Sequence, residues 1–162
     1  MSTGVVVVCS NRAAAGVYED VTGPLLVEWL RGLGFEVSEP VVVPDGEPVR
    51  AALEQAIEAE VAVVITTGGT GISPKDLTPE MTRPLLDREL PHLAAHMAHH
   101  GVANGVPTAM LSRGVAGVAG RTLVVNVPGS RGGVKDAMAV LDPVVQHAVD
   151  QIAGGDHPRG DS

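Results

Sequence analysis

VAVVITTGGTGISPKDLTPEMTRPLL, Val61 to Leu86, passes from an aliphatic run through a glycine-rich loop to a proline-marked helix start. Its opening run Val61–Thr67, seven residues long, is aliphatic and mostly β-branched and reads as a buried strand. Gly68-Gly69-Thr70-Gly71 follows at once, and Thr78-Pro79-Glu80 then supplies the cap threonine and first-position proline of a helix start. Strand, bare loop and helix start together make a β-to-α unit. A backbone with so few side chains lets a ligand come close, and the amides leading into a helix start favour an anion. The loop is neither a P-loop, since it lacks the Gly-Lys-Ser/Thr ending, nor a G-x-G-x-x-G turn.

The same alternation continues on both sides. Val5–Cys9 reads as a buried strand, and Leu25, Leu26, Trp29, Leu30 and Leu33 recur at helical spacing between Pro24 and Gly34. Phe35–Val43 reads as a second strand, and Val49, Ala52, Leu53, Ala56 and Ile57 as a helix entered through Pro44-Asp45-Gly46-Glu47-Pro48. Residues Glu89–His100 read as helix, and Thr108–Leu111 and Thr122–Val127 as strands. A final helical stripe runs from Val134 to Ile152, with a kink or fresh start at Asp142-Pro143. These elements predict an α/β fold: a three-layer sandwich with a mostly parallel central sheet flanked by helices. One domain over residues 1–153 and a disordered tail over 154–162 are expected, and the Arg-Gly-Asp in that tail is read as chance.

With 162 residues, of which 44% are apolar, the chain can bury one sizeable core. Its apolar runs are strand-sized, far short of the roughly 20 residues that cross a bilayer, so no membrane association is expected. The start of the chain does not read as a secretory signal, and the single cysteine, Cys9, has no partner for an internal disulfide; a cytoplasmic location follows as an expectation. A net charge of −8 argues against a broad nucleic-acid surface. It leaves room for a small anion, because amides, a few cations and a metal can dominate the field of one pocket.

A mostly parallel sheet binds ligands beyond the carboxyl ends of its strands. That rule collects Asn11, Arg12, Asp20, Asp45, Gly68, Gly69, Thr70, Gly71, Ser73, Lys75, Asp76, Asn126, Gly129, Ser130, Arg131 and Lys135 on one rim. Carboxylates beside an anion loop make sense where a divalent cation bridges them to phosphate oxygens, and Mg²⁺ prefers one or two carboxylates plus phosphate and water. The competing role for Asp45 and Asp76 is a helix or turn cap. His92, His96 and His100 stand at helical spacing and read as a solvated or partner-facing stripe, and Cys9 as a small core residue.

The segments SNRAAAGVYEDVTGP, TTGGTGISPKDLTPE, GVPTAMLSRGVAG and LVVNVPGS occur in an order and spacing that resemble the Mog/MoaB family of molybdenum-cofactor biosynthesis, over about residues 4–152. The resemblance implies a molybdopterin-binding fold, a homotrimer, contact with a molybdenum-insertion enzyme, and, in the Mog branch, transfer of AMP from ATP to molybdopterin. By motif, Thr67, Gly68, Gly69, Thr70 and Gly71 would hold the pterin or nucleotide phosphates, with Ser73 and Lys75 in the same loop. Asp76 and Asp45 match the family's two functional acids and are the expected Mg²⁺ ligands. Ser112, Arg113, Asn126, Pro128, Gly129 and Ser130 match further parts of its pocket. Asn11 stands where many members carry Asp, and Lys75 where many carry Arg, which keeps the charge but loses the planar fork. The chain is also shorter after Ser130 than the longer Mog enzymes. The alternative the resemblance leaves is a MoaB-like molybdopterin carrier or scaffold without turnover.

Overall fold

In the computed structural model, which describes residues 2–16 and 20–155, seven strands form one sheet. β1 (Thr3–Cys9), β4 (Val63–Thr67) and β7 (Thr122–Val127) lie side by side and parallel at its centre. β2 (Glu36–Val37) and β3 (Val41–Val43) both run parallel to the outer side of β1. β6 (Ala116–Ala119) and β5 (Arg88–Glu89) extend the other edge as antiparallel neighbours. The mostly parallel sheet expected from the alternation is therefore present, with a mixed edge.

The central strands alternate between two buried faces. Val6, Val63, Ile65, Leu123 and Val125 pack with Leu26 and Leu30 of α2 (Thr22–Gly32) and with Val134 and Leu141 of α6 (Arg131–Leu141). Val7, Cys9, Val64 and Val124 pack instead with Val49 and Leu53 of α3 (Glu47–Glu58). This two-residue alternation puts an apolar face on each side of the sheet, so helices must cover both and three layers result. Leu26, Leu30 and Leu53 are completely buried, and truncating any one to Ala costs about 2–5 kcal/mol.

Three sequence readings are corrected. The expected strand Phe35–Val43 is two short strands: Gly4 to Val7 is three steps on β1, whereas their partners Val37 to Val41 are four steps apart. The extra residue falls beside Pro40, which has no amide to give the ladder. Thr108–Leu111, expected to be a strand, lies in a 3₁₀ turn, Pro107–Leu111, where Pro107 stands in the first turn. Glu89, read as the start of a helix, belongs to β5, and α5 spans Pro91–Ala103. The fresh start at Asp142-Pro143 is observed: α6 ends at Leu141 and α7 (Val145–Ile152) begins anew. Among the described residues no helix is long and apolar enough to cross a membrane. Gly154 and Gly155 still bond back to the end of α7, and the rest of the expected tail lies outside the described residues.

Candidate functional site

The connection from β1 departs towards β2 and β3, and that from β4 towards β7, so the strand order reverses between β1 and β4. At this switch point the loops diverge and leave a crevice. A cleft of about 780 Å³ occupies it, lined by the ends of β1 and β4, the loops that follow, and the first residue of α6.

The floor of the cleft is held by bonds that use up several of the expected ligand groups. The Thr67 hydroxyl, on a residue 1% exposed, donates to the Pro128 carbonyl at 2.8 Å and lies 3.2 Å from the Thr22 hydroxyl, tying β4 to the β7 loop and to α2. The Gly68 amide donates to Val127 at 3.0 Å. No hydrogen bond among the described residues uses the amides of Gly69, Thr70 or Gly71. Gly68 and Gly69 adopt φ of +99° and +69°, where side chains are rarely accommodated. A Cβ on Gly68 would stand 2.5 Å from the Cys9 carbonyl oxygen, so the loop crosses directly over the end of β1.

Two carboxylates, Asp45 and Asp76, line the cleft above this floor. The Asp45 amide donates to Asn11 Oδ1 at 2.9 Å, joining the β3 loop to the short helix α1 (Asn11–Ala14). The Asp45 side chain does not cap α3, whose cap position is Gly46. Its Oδ1 is instead buried without a hydrogen-bond partner. Burial raises the Asp45 carboxyl above its ordinary 3.8, and the charge of Asp76 pushes in the same direction, against Lys75. Asp76 Oδ2 accepts the Ser73 amide at 3.0 Å while the Asp76 amide returns to the Ser73 carbonyl at 2.9 Å, closing the turn that carries both. Thr78, expected to cap α4 (Thr78–Thr82), is its first helical residue, and its buried hydroxyl makes no capping bond.

The cleft walls place three cations, Arg12, Lys75 and Arg131, against three acids, Asp20, Asp45 and Asp76, among the described residues. Their formal charges cancel. A polyanion is thus drawn here only with further positive charge, and an unpartnered carboxylate oxygen beside a second carboxylate is a donor set that suits a small hard cation. Asp45 and Asp76 therefore fit Mg²⁺, although among the described residues no group of three His, Cys, Asp or Glu side chains surrounds a metal position. Asp20 Oδ1 also accepts the Gly23 amide at 3.0 Å and so helps start α2.

Of the residues expected on the site, Asn11, Arg12, Asp20, Asp45, Thr67, Gly68, Gly69, Ser73, Lys75, Asp76, Gly129 and Arg131 line the cleft. Thr70, Gly71, Ser112, Arg113, Asn126, Pro128, Ser130 and Lys135 are not in its lining. Asn126, 1% exposed, accepts from the Val115 amide at 3.1 Å and donates to the Thr66 and Thr82 hydroxyls at 2.9 and 3.1 Å. The Ser130 hydroxyl caps α6 by accepting the Gly133 amide at 3.1 Å. Ser112, Asn126 and Pro128 face a separate cavity of about 30 Å³ between α5 and α6. The loop after β1, Ser10–Gly23, is placed on the rim by topology, but sequence reasoning does not single out Ser10, which caps α1, or Val21 and Thr22, which line the cleft, because no hydrophobic period in that segment marks individual residues.

The two remaining candidates behave as core and surface. Burial pushes the Cys9 thiol up to about 12, with the Asp45 charge acting in the same sense, which leaves it neutral and poorly nucleophilic. On α5 the His96 and His99 rings stack at 6.3 Å, and His100 Nδ1 sits 3.2 Å from Asp136 Oδ1.

Sheet, switch-point cleft and paired acids define an α/β domain with a polar cleft at the carboxyl ends of its central strands. The chain belongs to the family described as probable molybdopterin binding domain, which matches residues 5–147. It is 38% identical over 146 residues to the molybdopterin adenylyltransferase of Pyrococcus furiosus, covering 88% of this chain and 86% of that one. It is also 38% identical over 154 residues to the molybdenum cofactor biosynthesis bifunctional protein of Chlorobaculum tepidum, covering 94% of this chain but 49% of that protein. The chain thus spans about half the length of this second relative. The solved molybdopterin biosynthesis Mog protein of Mycobacterium ulcerans is 52% identical and superposes with a TM-score of 0.90, covering 94% of this chain and 99% of the other.

Proposed function

We propose that the protein is a molybdopterin adenylyltransferase, transferring AMP from ATP to the terminal phosphate of molybdopterin. The observation that carries this reading is the pair of acids, Asp45 and Asp76, coupled across a glycine loop, one with a buried oxygen that has no protein partner. A simple anion site gains nothing from two carboxylates. The name of the Pyrococcus furiosus relative, molybdopterin adenylyltransferase, supports the same chemistry.

In the proposed reaction a phosphate oxygen of molybdopterin attacks the α-phosphorus of ATP. The bond from that phosphorus to the oxygen bridging it to the β-phosphate breaks, pyrophosphate leaves with the bonding electrons, and a diphosphate link to AMP remains. The nucleophile is already an anion, so no general base is required, and the protein's contribution is position and charge. Asp45 and Asp76 would hold Mg²⁺, which supplies charge neutralisation across the phosphates. The Gly69 amide offers a donor to a phosphate oxygen, while Lys75, Arg12 and Arg131 offset its charge from the walls. The homotrimer and the contact with a molybdenum-insertion enzyme remain part of this proposal, and sedimentation and pull-down would check them.

The deciding experiment follows pyrophosphate release from purified protein with molybdopterin, ATP and Mg²⁺, with Asp76→Ala alongside. Turnover that falls by roughly 100-fold or more in the variant, the scale of losing a preorganised charge-stabilising group, is the expected result. Molybdopterin binding without turnover in the wild type would replace the enzyme with a carrier.

A further inference from the structure

Arg113 and Glu80 form an ion pair that neither lines the cleft nor serves the core, yet it grips the loop that presents Asp76. Arg113 Nη1 donates to Glu80 Oε2 at 2.7 Å and Nη2 to Glu80 Oε1 at 3.2 Å, a two-pronged contact. The same guanidinium donates through Nε to the Gly71 carbonyl at 2.8 Å and through Nη2 to the Asp76 carbonyl at 2.7 Å. Its own amide donates to the Thr70 carbonyl at 2.7 Å. One side chain thus spans the segment from the glycine turn to the acid. Glu80, on α4, fixes the plane of the fork while Arg113 grips both ends.

We propose that Glu80 and Arg113 are positioning residues that set the orientation of Asp76, and that Arg113 does not itself bind the phosphates. This rests on the adenylyl-transfer reading for its effect on rate, but its mechanical part stands apart from it. Each partner shifts as the contact requires: Arg113 draws the Glu80 carboxyl below its usual range, and Glu80 raises the guanidinium further. The pair is about two-fifths exposed, so its work lies in geometry rather than in stability. A loop displaced by an ångström is enough to cost about 100-fold in a positioned transfer. A lysine at 113 would keep the charge but could not span the carbonyls and the carboxylate together.

The test compares wild type with Glu80→Gln and Glu80→Ala, because removing Arg113 outright takes away its bonds to the loop along with the ion pair and risks the fold. Amide hydrogen exchange of residues 68–78 is measured together with kcat, KM for molybdopterin and the thermal midpoint. The expected result is exchange faster by about tenfold in the loop, kcat lower by about 10- to 100-fold, and KM within about threefold, with an unchanged midpoint. Unchanged loop exchange overturns the proposal whatever happens to turnover. Faster exchange with unchanged kcat overturns the link to catalysis. A KM change larger than the kcat change overturns it as well, since that would mark Arg113 as a direct phosphate ligand released from Glu80. If the wild type shows no turnover, the adenylyl-transfer reading fails, and the loop exchange still decides whether the pair holds the loop.

Discussion

Gly69 is where the loop, an acid and a helix start converge. Its φ of +69° already disfavours a side chain, and a Cβ there would collide with the Thr78 hydroxyl and sit 3.2 Å from Asp45 Oδ1. Gly69→Ala should therefore destabilise the fold by the roughly 1–2 kcal/mol of a left-handed alanine, plus about 1–3 kcal/mol for overpacking. Thermal melts followed by the fluorescence of Trp29, whose indole is anchored to Asp142 at 3.0 Å, would measure it. Asp45 makes the opposite trade. Its raised carboxyl means that the native state holds the proton more tightly than the unfolded chain, so stability falls as pH rises from 3.8 through the native value. Asp45→Asn removes that cost and should raise the melting temperature at neutral pH, with the gain vanishing as pH is lowered towards 3.8, while adenylyl transfer falls by roughly 100-fold. A variant no more stable than wild type at pH 7 would mean that Asp45 is not penalised by burial.

Helix α6 opens on the cleft with Arg131 and carries Gly132 and Gly133 in its first turn, poor helix formers that depend on the cap. Ser130→Ala should cost about 1 kcal/mol, the usual value of a serine cap. At this chain length that lowers the thermal midpoint by roughly 2–4 °C, which calorimetry would resolve. At this scale the sequence was legible wherever a period was long enough to read. β1, β4 and β7 follow from continuous aliphatic runs, α2 and α3 from apolar residues at spacing 3.6, and the break before α7 from Pro143. Short and polar elements were not legible: β5 is two charged residues, Arg88 and Glu89, ordered by pairing with Gly117 and Val118. β6 is small and glycine-bearing, and its one local signal is the two-residue turn Gly120-Arg121 between Ala119 and Thr122, with Gly120 at φ +57°. The site divides the same way. The rim position of Asp45, Gly69 and Asp76 follows from topology. That Thr67, Asn126 and Arg113 spend their polar atoms on the scaffold depends on partners 33 to 61 residues away, which no local pattern encodes.

Charge sets two fields of different range on the whole molecule. The net −8 acts over the Debye length, about 10 Å at 0.1 M salt, and repels a nucleotide at a distance. Inside the cleft the three cations and three acids among the described residues cancel, so under the adenylyl-transfer proposal short-range attraction for a polyanion comes from the proposed Mg²⁺ and the Gly69 amide, which bulk salt screens little. The two fields predict a sign. With Mg²⁺ saturating, raising monovalent salt from low concentration to about 0.15 M should increase kcat/KM for ATP by roughly two- to fivefold, because it removes the long-range repulsion and leaves the contacts in place. A basic nucleotide-binding surface would show the reverse, since salt there screens the steering attraction. Stopped-flow binding of a fluorescent ATP analogue across a salt series would separate the two, with the change expected in the association rate. A rate that falls with salt would mean that Arg12, Lys75 and Arg131 steer the nucleotide against the field of the rest of the molecule.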